Sequence, residues 1–108
     1  MWMETAVLSA RTGYEARLRR LLKARSAIRR NSEGCLLSWV GETSVGKGTF
    51  LLQALYSSEE AISVALQQVS SLDQSDGGLE SVIEGPPLVG IFQVDSEDVG
   101  IIDGRGGA

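Results

Sequence analysis

Cys35-Leu36-Leu37 and Phe50-Leu51-Leu52 are each apolar at three consecutive positions, and this pattern narrows the possible folds more than any other feature of the chain. The runs that contain them, residues 35–40 and 49–56, have strand length and are bounded by turn-forming residues. A strand with one face on helices and one in water alternates apolar and polar side chains, because successive side chains point to opposite faces. Strands that are apolar on both sides need both faces of their sheet covered. A chain of 108 residues with two helical segments covers one face, so the other is expected to meet the same face of a second copy, giving a homodimer.

The remaining signals fix the order of elements. Residues 4–10 read as a first strand. Thr12-Gly13-Tyr14-Glu15 has the spacing of a capping box and opens a helix that runs to about Arg30. Tyr14, Leu18, Leu21, Leu22 and Ile28 fall on one stripe of that helix, with Arg17, Arg19, Arg20, Lys23 and Arg30 largely off it. Asn31-Ser32-Glu33-Gly34 ends the helix before the second strand. After the third strand, Ser57-Ser58-Glu59-Glu60 is a second capping box, opening a helix through Ala61, Ile62, Ala65, Leu66 and Val69. Residues 73–78 read as a turn-rich connector and 79–84 as a further helical turn; Gly85-Pro86-Pro87 then leads into a last strand, 88–94. The order β-α-β-β-α-β with right-handed crossovers predicts an α+β, ferredoxin-like domain, a four-stranded antiparallel sheet with both helices on one face. Residues 1–94 are expected to form this domain and 95–108 an acidic, then glycine-rich, mobile tail, in which Val99, Ile101 and Ile102 leave open a return across the dimer.

Composition prunes the chemistry. The chain has no histidine and one cysteine, which removes Ser-His-Asp and Cys-His catalysis, His-ligated haem and the common zinc and non-haem iron sites. The lone Cys35 reads as a small buried hydrophobe in a reducing compartment, and no basic-then-apolar leader or membrane-length apolar run is present. A cytoplasmic protein without metal or membrane association is the expectation. Residues 1–32 hold eight of the ten basic residues against two acids, while the remainder is strongly acidic. The basic helix is read as a solvated face rather than a nucleic-acid surface, since the strands lack an aromatic stacking platform for bases.

Residues 41–49, GETSVGKGT, match the letters of a phosphate-binding loop. Such a loop works by aiming the N-terminus of the following helix at phosphate. Here an apolar strand follows Lys47 and the next helix-start signal waits until Ser57, so the segment is expected to be a hairpin in which Gly46 and Gly48 supply the turn.

Three separated landmarks, Ser32-Glu33-Gly34-Cys35-Leu36, Tyr56-Ser57-Ser58-Glu59-Glu60-Ala61 and Gly85-Pro86-Pro87, together resemble the antibiotic biosynthesis monooxygenase family over roughly residues 4–94. That resemblance implies a dimeric α+β barrel in which two ferredoxin-like sheets face one another. It also implies an activity of the kind found in the family's cofactor-free oxygenases of quinols and anthrone-like polyketides, where a deprotonated substrate reacts with oxygen directly. Tyr56 stands where the family usually has Trp. Leu52 stands where its polyketide oxygenases have Asn, and Ala65 stands near the His of its haem-degrading members. The implied catalytic residue is Tyr56, the one polar group in the series Leu52, Ala54, Tyr56, with Arg11 or Gln67 supporting it as oxyanion stabilisers. Trp39, Leu52, Ala54, Ile62 and Leu66 are expected to line the site for a small aromatic substrate, with no cofactor. The competing expectation is a non-catalytic binding or structural member of the same fold.

Overall fold

The computed structural model describes residues 1–100. The elements run β1 (Trp2–Ser9), α1 (Glu15–Arg30), β2 (Cys35–Glu42), β3 (Thr49–Tyr56), α2 (Glu59–Asp76), β4 (Leu88–Gln93) and a single-turn α3 (Ser96–Val99). The four strands form one antiparallel sheet in the order β2-β3-β1-β4. This is the expected ferredoxin-like arrangement. Residues 95–100, assigned to the tail, contain α3, capped by Asp95, whose Oδ1 accepts the Glu97 N–H at 3.0 Å. Ile101 and Ile102 lie outside the described residues.

Register decides which side chains face the helices. Glu4 pairs with Ala54 and Ile91, Ala6 with Leu52 and Val89, and Leu8 with Phe50, so these share the inner face. Met3, Val7, Leu37, Trp39, Leu51, Leu55, Leu88 and Phe92 share the outer face by the same pairing. The outer face therefore carries an apolar set as well, interrupted on the two central strands by Thr5, Ser9, Thr49 and Gln53. A bulge between Cys35 and Leu37 inserts Leu36 and moves the strand from one phase to the other, which is why three apolar residues in a row can be accommodated there.

The helix starts differ from expectation. Tyr14, not Thr12, occupies the N-cap of α1, with no side-chain cap. The chain turns first, with the Tyr14 N–H on the Arg11 carbonyl at 2.9 Å and Gly13 at φ 91°, so Thr12 and Glu15 are out of capping register. On α2 the cap is Ser58, whose Oγ accepts the Ala61 N–H at 3.3 Å, one residue later than the Ser57–Glu60 spacing suggested. Ser57 is held elsewhere, its N–H on the Gly34 carbonyl at 2.9 Å. Gly34 sits at φ 85° with the Ala61 methyl 2.6 Å from where a Cβ would be, so only glycine lets β2 begin this close to α2. At its other end α2 continues to Asp76, through residues the sequence assigned to a connector, and stops at Gly77 in the left-handed conformation.

The main apolar core joins Leu18, Leu21 and Leu22 of α1 to Leu8, Phe50 and Leu52, closed at one end by Val82 and Ile83. A second cluster seats Ala61, Ile62 and Ala65 of α2 on Ala54 and Tyr56. The small residues of α2 let it lie close over β3, and the inner faces of β1 and β4 are left to border a cavity.

Lys47 stands exposed at the tip of the β2–β3 hairpin, between Gly46 at φ 77° and Gly48 at φ 87°. The residues after it enter β3 directly, so no helix N-terminus is available to phosphate. Lys47→Ala is expected to change unfolding free energy by no more than about 0.5 kcal/mol in urea titrations. Saturable ATP binding by the wild-type chain would contradict this reading of the loop.

Candidate active site

The inward stripe of α1 begins as Leu18 and Leu22 and continues, at helical spacing, as Arg25 and Arg29. Both arginines are buried, at 2% and 6% exposure, a position this residue type holds only when paired. Arg29 meets Glu4, the inner-face residue at the start of β1. Its Nε donates to Glu4 Oε1 at 2.9 Å and its Nη2 to Glu4 Oε2 at 2.9 Å, a bidentate pair. Tyr56, fully buried at the end of β3, donates its hydroxyl to the same Glu4 Oε1 at 2.8 Å.

Desolvation alone would raise the Glu4 pKa. The bonds and charge of Arg29, with the Tyr56 hydroxyl, outweigh it and hold the carboxyl below the usual range. The Tyr56 phenol moves the opposite way: burial first, then its bond to Glu4 and the charge there, push its pKa well above the ordinary value. Tyr56 is therefore a protonated donor near neutrality and not a base. Cys35 is also pushed up, chiefly by burial, which makes it an unreactive thiol.

Arg25 lies one turn before Arg29 and is clamped by the last turn of α2. It donates to Asp76 through both terminal nitrogens, at 2.9 Å each, to Asp73 through Nε and Nη2, and to the Leu21 carbonyl at 3.1 Å. This explains why α2 runs on past Val69. Two carboxylates at a helix C-terminus oppose its dipole, and a buried guanidinium beneath them offsets that opposition.

These groups form the polar end of a cavity of about 290 Å³ between the sheet and the helices. Its apolar walls are Ala6 and Leu8 of β1, Leu22 of α1, Leu52 of β3, Leu66 and Val69 of α2, and Leu79, Pro87, Val89 and Ile91 from the chain leading into and along β4; Glu4, Arg25, Arg29 and Asp73 supply the polar groups. An adjoining cavity of about 320 Å³ shares Leu66 and Ile91 with it and adds Ile62, Ser63, Glu59 and Glu60.

Of the residues singled out in the sequence, Leu52 and Leu66 line the main cavity and Ile62 the adjoining one. Ala54 and Tyr56 lie behind it in the α2–β3 cluster, Tyr56 reaching the cavity's polar end through Glu4. Three others are placed apart. Trp39 pairs with Gln53 on the outer face, its Nε1 on Gln53 Oε1 at 3.1 Å. Arg11 fixes the segment before β4 by donating from Nε to the Ile83 carbonyl at 3.0 Å. Gln67 is exposed on α2. The residues that sequence reasoning missed are Glu4, Arg25 and Arg29, and the available signal was the phase of the two arginines with Leu18 and Leu22. Among the described residues no cluster of three potential metal-ligating side chains is present, and no helix is long and apolar enough to cross a membrane.

The fold is that of the antibiotic biosynthesis monooxygenases. SnoaB, a cofactor-independent oxygenase from Streptomyces nogalater, superimposes as a mutant form with a TM-score of 0.73, at 14% identity over 88% of this chain and 93% of its own. An antibiotic biosynthesis monooxygenase structure matches at 0.74, with 11% identity over 88% of this chain and 99% of that one. PA3566 from Pseudomonas aeruginosa matches at 0.75, with 19% identity over 88% and 94%. No family model and no curated protein sequence matches the chain.

Proposed function

We propose that this chain is a member of the antibiotic biosynthesis monooxygenase family that works as a homodimeric, cofactor-independent monooxygenase of a small quinol-like or polyketide-like aromatic. The observation that carries this reading is the apolar cavity of about 290 Å³ between sheet and helices, with a buried, charge-paired end. Apolar walls with a few convergent polar groups suit a small aromatic ring system. The substrate supplies the reducing electrons. For an anthrone-type substrate, loss of a proton gives a carbanion that takes up oxygen; the CH2 group becomes C=O, with one atom of O2 in the ketone and the other leaving as water. Glu4 is doubly engaged and held ionised, which makes it a weak base, so the fitting substrate is one whose own proton is lost readily. Tyr56 acts by positioning Glu4, and Leu52 and Leu66 act as walls. The apolar outer face of the sheet, with Trp39, Leu88 and Phe92 at 37%, 73% and 57% exposure, supports the homodimer.

A second reading, a non-catalytic binding protein, is favoured by the same polar end, where Glu4, Tyr56 and Arg25 have their bonds satisfied internally. Oxygen consumption with a panel of reduced quinols and anthrones separates the two. Saturable uptake above autoxidation, reduced about tenfold in Tyr56→Phe, is expected. Binding of the panel with no uptake above autoxidation would leave only the binding protein.

A further inference from the structure

The polar end of the cavity is not equally committed everywhere. A guanidinium carries five N–H donors in a rigid fork, accepts nothing and does not deprotonate in the accessible pH range. Arg25 has all five engaged by Asp73, Asp76 and the Leu21 carbonyl. Arg29 has three engaged: Nε and one Nη2 hydrogen on Glu4, and one Nη1 hydrogen on the Arg25 carbonyl at 3.3 Å. Its other two N–H groups make no geometrically sound hydrogen bond among the described residues, and the nearby Tyr56 hydroxyl, which already donates to Glu4, adds only to the stabilisation of the charge. Arg29 is 6% exposed and lines the cavity beside Ala6, Leu22 and Leu52. A buried donor without an acceptor is costly, so a ligand that brings an acceptor gains more here than it would in water.

We infer that Arg29 is the ligand-anchoring residue of the cavity, donating its two free N–H groups to an aromatic hydroxyl, phenolate or keto oxygen. The site thereby takes oxygenated aromatics and rejects their amino counterparts. Glu4 holds the fork in one orientation through its bidentate bond, and Tyr56 holds Glu4; both are positioning residues. An aromatic amine at the same point would set donor against donor, whereas an oxygen accepts from both terminal nitrogens. The inference rests on the cavity being a small-aromatic site, and goes further by naming the atom that orients the ring and the ligand class it selects.

Binding isotherms of the full chain with 2-naphthol, 2-naphthylamine and naphthalene, by calorimetry or fluorescence quenching, test it. The wild type is expected to bind 2-naphthol about tenfold more tightly than either of the others, the difference one charge-assisted hydrogen bond makes. In Glu4→Gln/Arg29→Met, which removes both charges together and whose fold is checked by circular dichroism, the three affinities should fall within about twofold of one another. Equal wild-type affinity for all three would leave the cavity as an aromatic site and overturn Arg29 as its anchor. So would an undiminished naphthol preference in the folded double variant. Failure of all three to bind the folded wild type would overturn the aromatic-site reading itself, and this inference with it.

Discussion

Arg29→Met is expected to lower the unfolding free energy by about 3–5 kcal/mol, because it strands the Glu4 carboxylate in the protein interior without its counter-charge. Both partners are nearly inaccessible, with side chains 8% and 5% exposed, so the carboxylate is left largely desolvated when the guanidinium is lost. Glu4→Gln/Arg29→Met should recover most of that loss, since it removes the stranded charge and keeps an acceptor for the Tyr56 hydroxyl. Urea titrations of both variants measure the difference. The same pair sets a pH dependence. The Glu4 pKa is depressed in the folded state, so its contribution is fully present above the ordinary carboxylate range and fades as pH falls through that range towards the folded value. Wild type should therefore lose stability on the acid side more steeply than Glu4→Gln/Arg29→Met. Parallel acid limbs would show that Glu4 is not ionised in the fold.

Leu51→Lys is expected to convert the proposed dimer into a monomer at micromolar concentration, weakening association by about 100-fold or more. Leu51 pairs with Val7 on the outer face, in one row with Gly41 of β2 and Leu88 of β4, and Leu88 is largely exposed. Two such sheets stacked face to face pack about 10 Å apart and exclude water from both. A lysine there would bury an ammonium, and none of the described residues that the strand register places on that face is acidic. Light scattering after size exclusion reads the result directly. A wild-type chain that is monomeric at micromolar concentration would contradict the dimer.

The fold was legible because its strongest signals are local. The unbroken apolar runs at 35–37 and 50–52 declared strands with apolar residues on both faces, and the glycines around Lys47 declared a hairpin. Element ends were less legible, since a cap depends on backbone direction as well as spacing. Gly13 turned the chain before Thr12 could cap α1, and Ser57 was taken by Gly34, leaving Ser58 to cap α2. The candidate site was legible only in its apolar part. Leu52 and Leu66 declared themselves by phase. Arg25 and Arg29 were passed over because charge is ordinarily read as exposure, although they continue the stripe of Leu18 and Leu22. Their partners come from β1 and from the end of α2, at separations in sequence that no local pattern links. Trp39 lies on the outer face, since the bulge at Leu36 sets the phase of β2 and a shift of one residue moves a side chain to the other face.

The central claim is that an aromatic held in this cavity reacts with oxygen without a cofactor. Incubation with an anthrone under 18O2, followed by mass spectrometry of the product, tests it most directly. The expected result is one labelled oxygen per quinone formed, one O2 consumed per product, and a rate that saturates with substrate and rises in proportion to protein. Product formation no faster than in protein-free buffer, with the anthrone demonstrably bound, would contradict it.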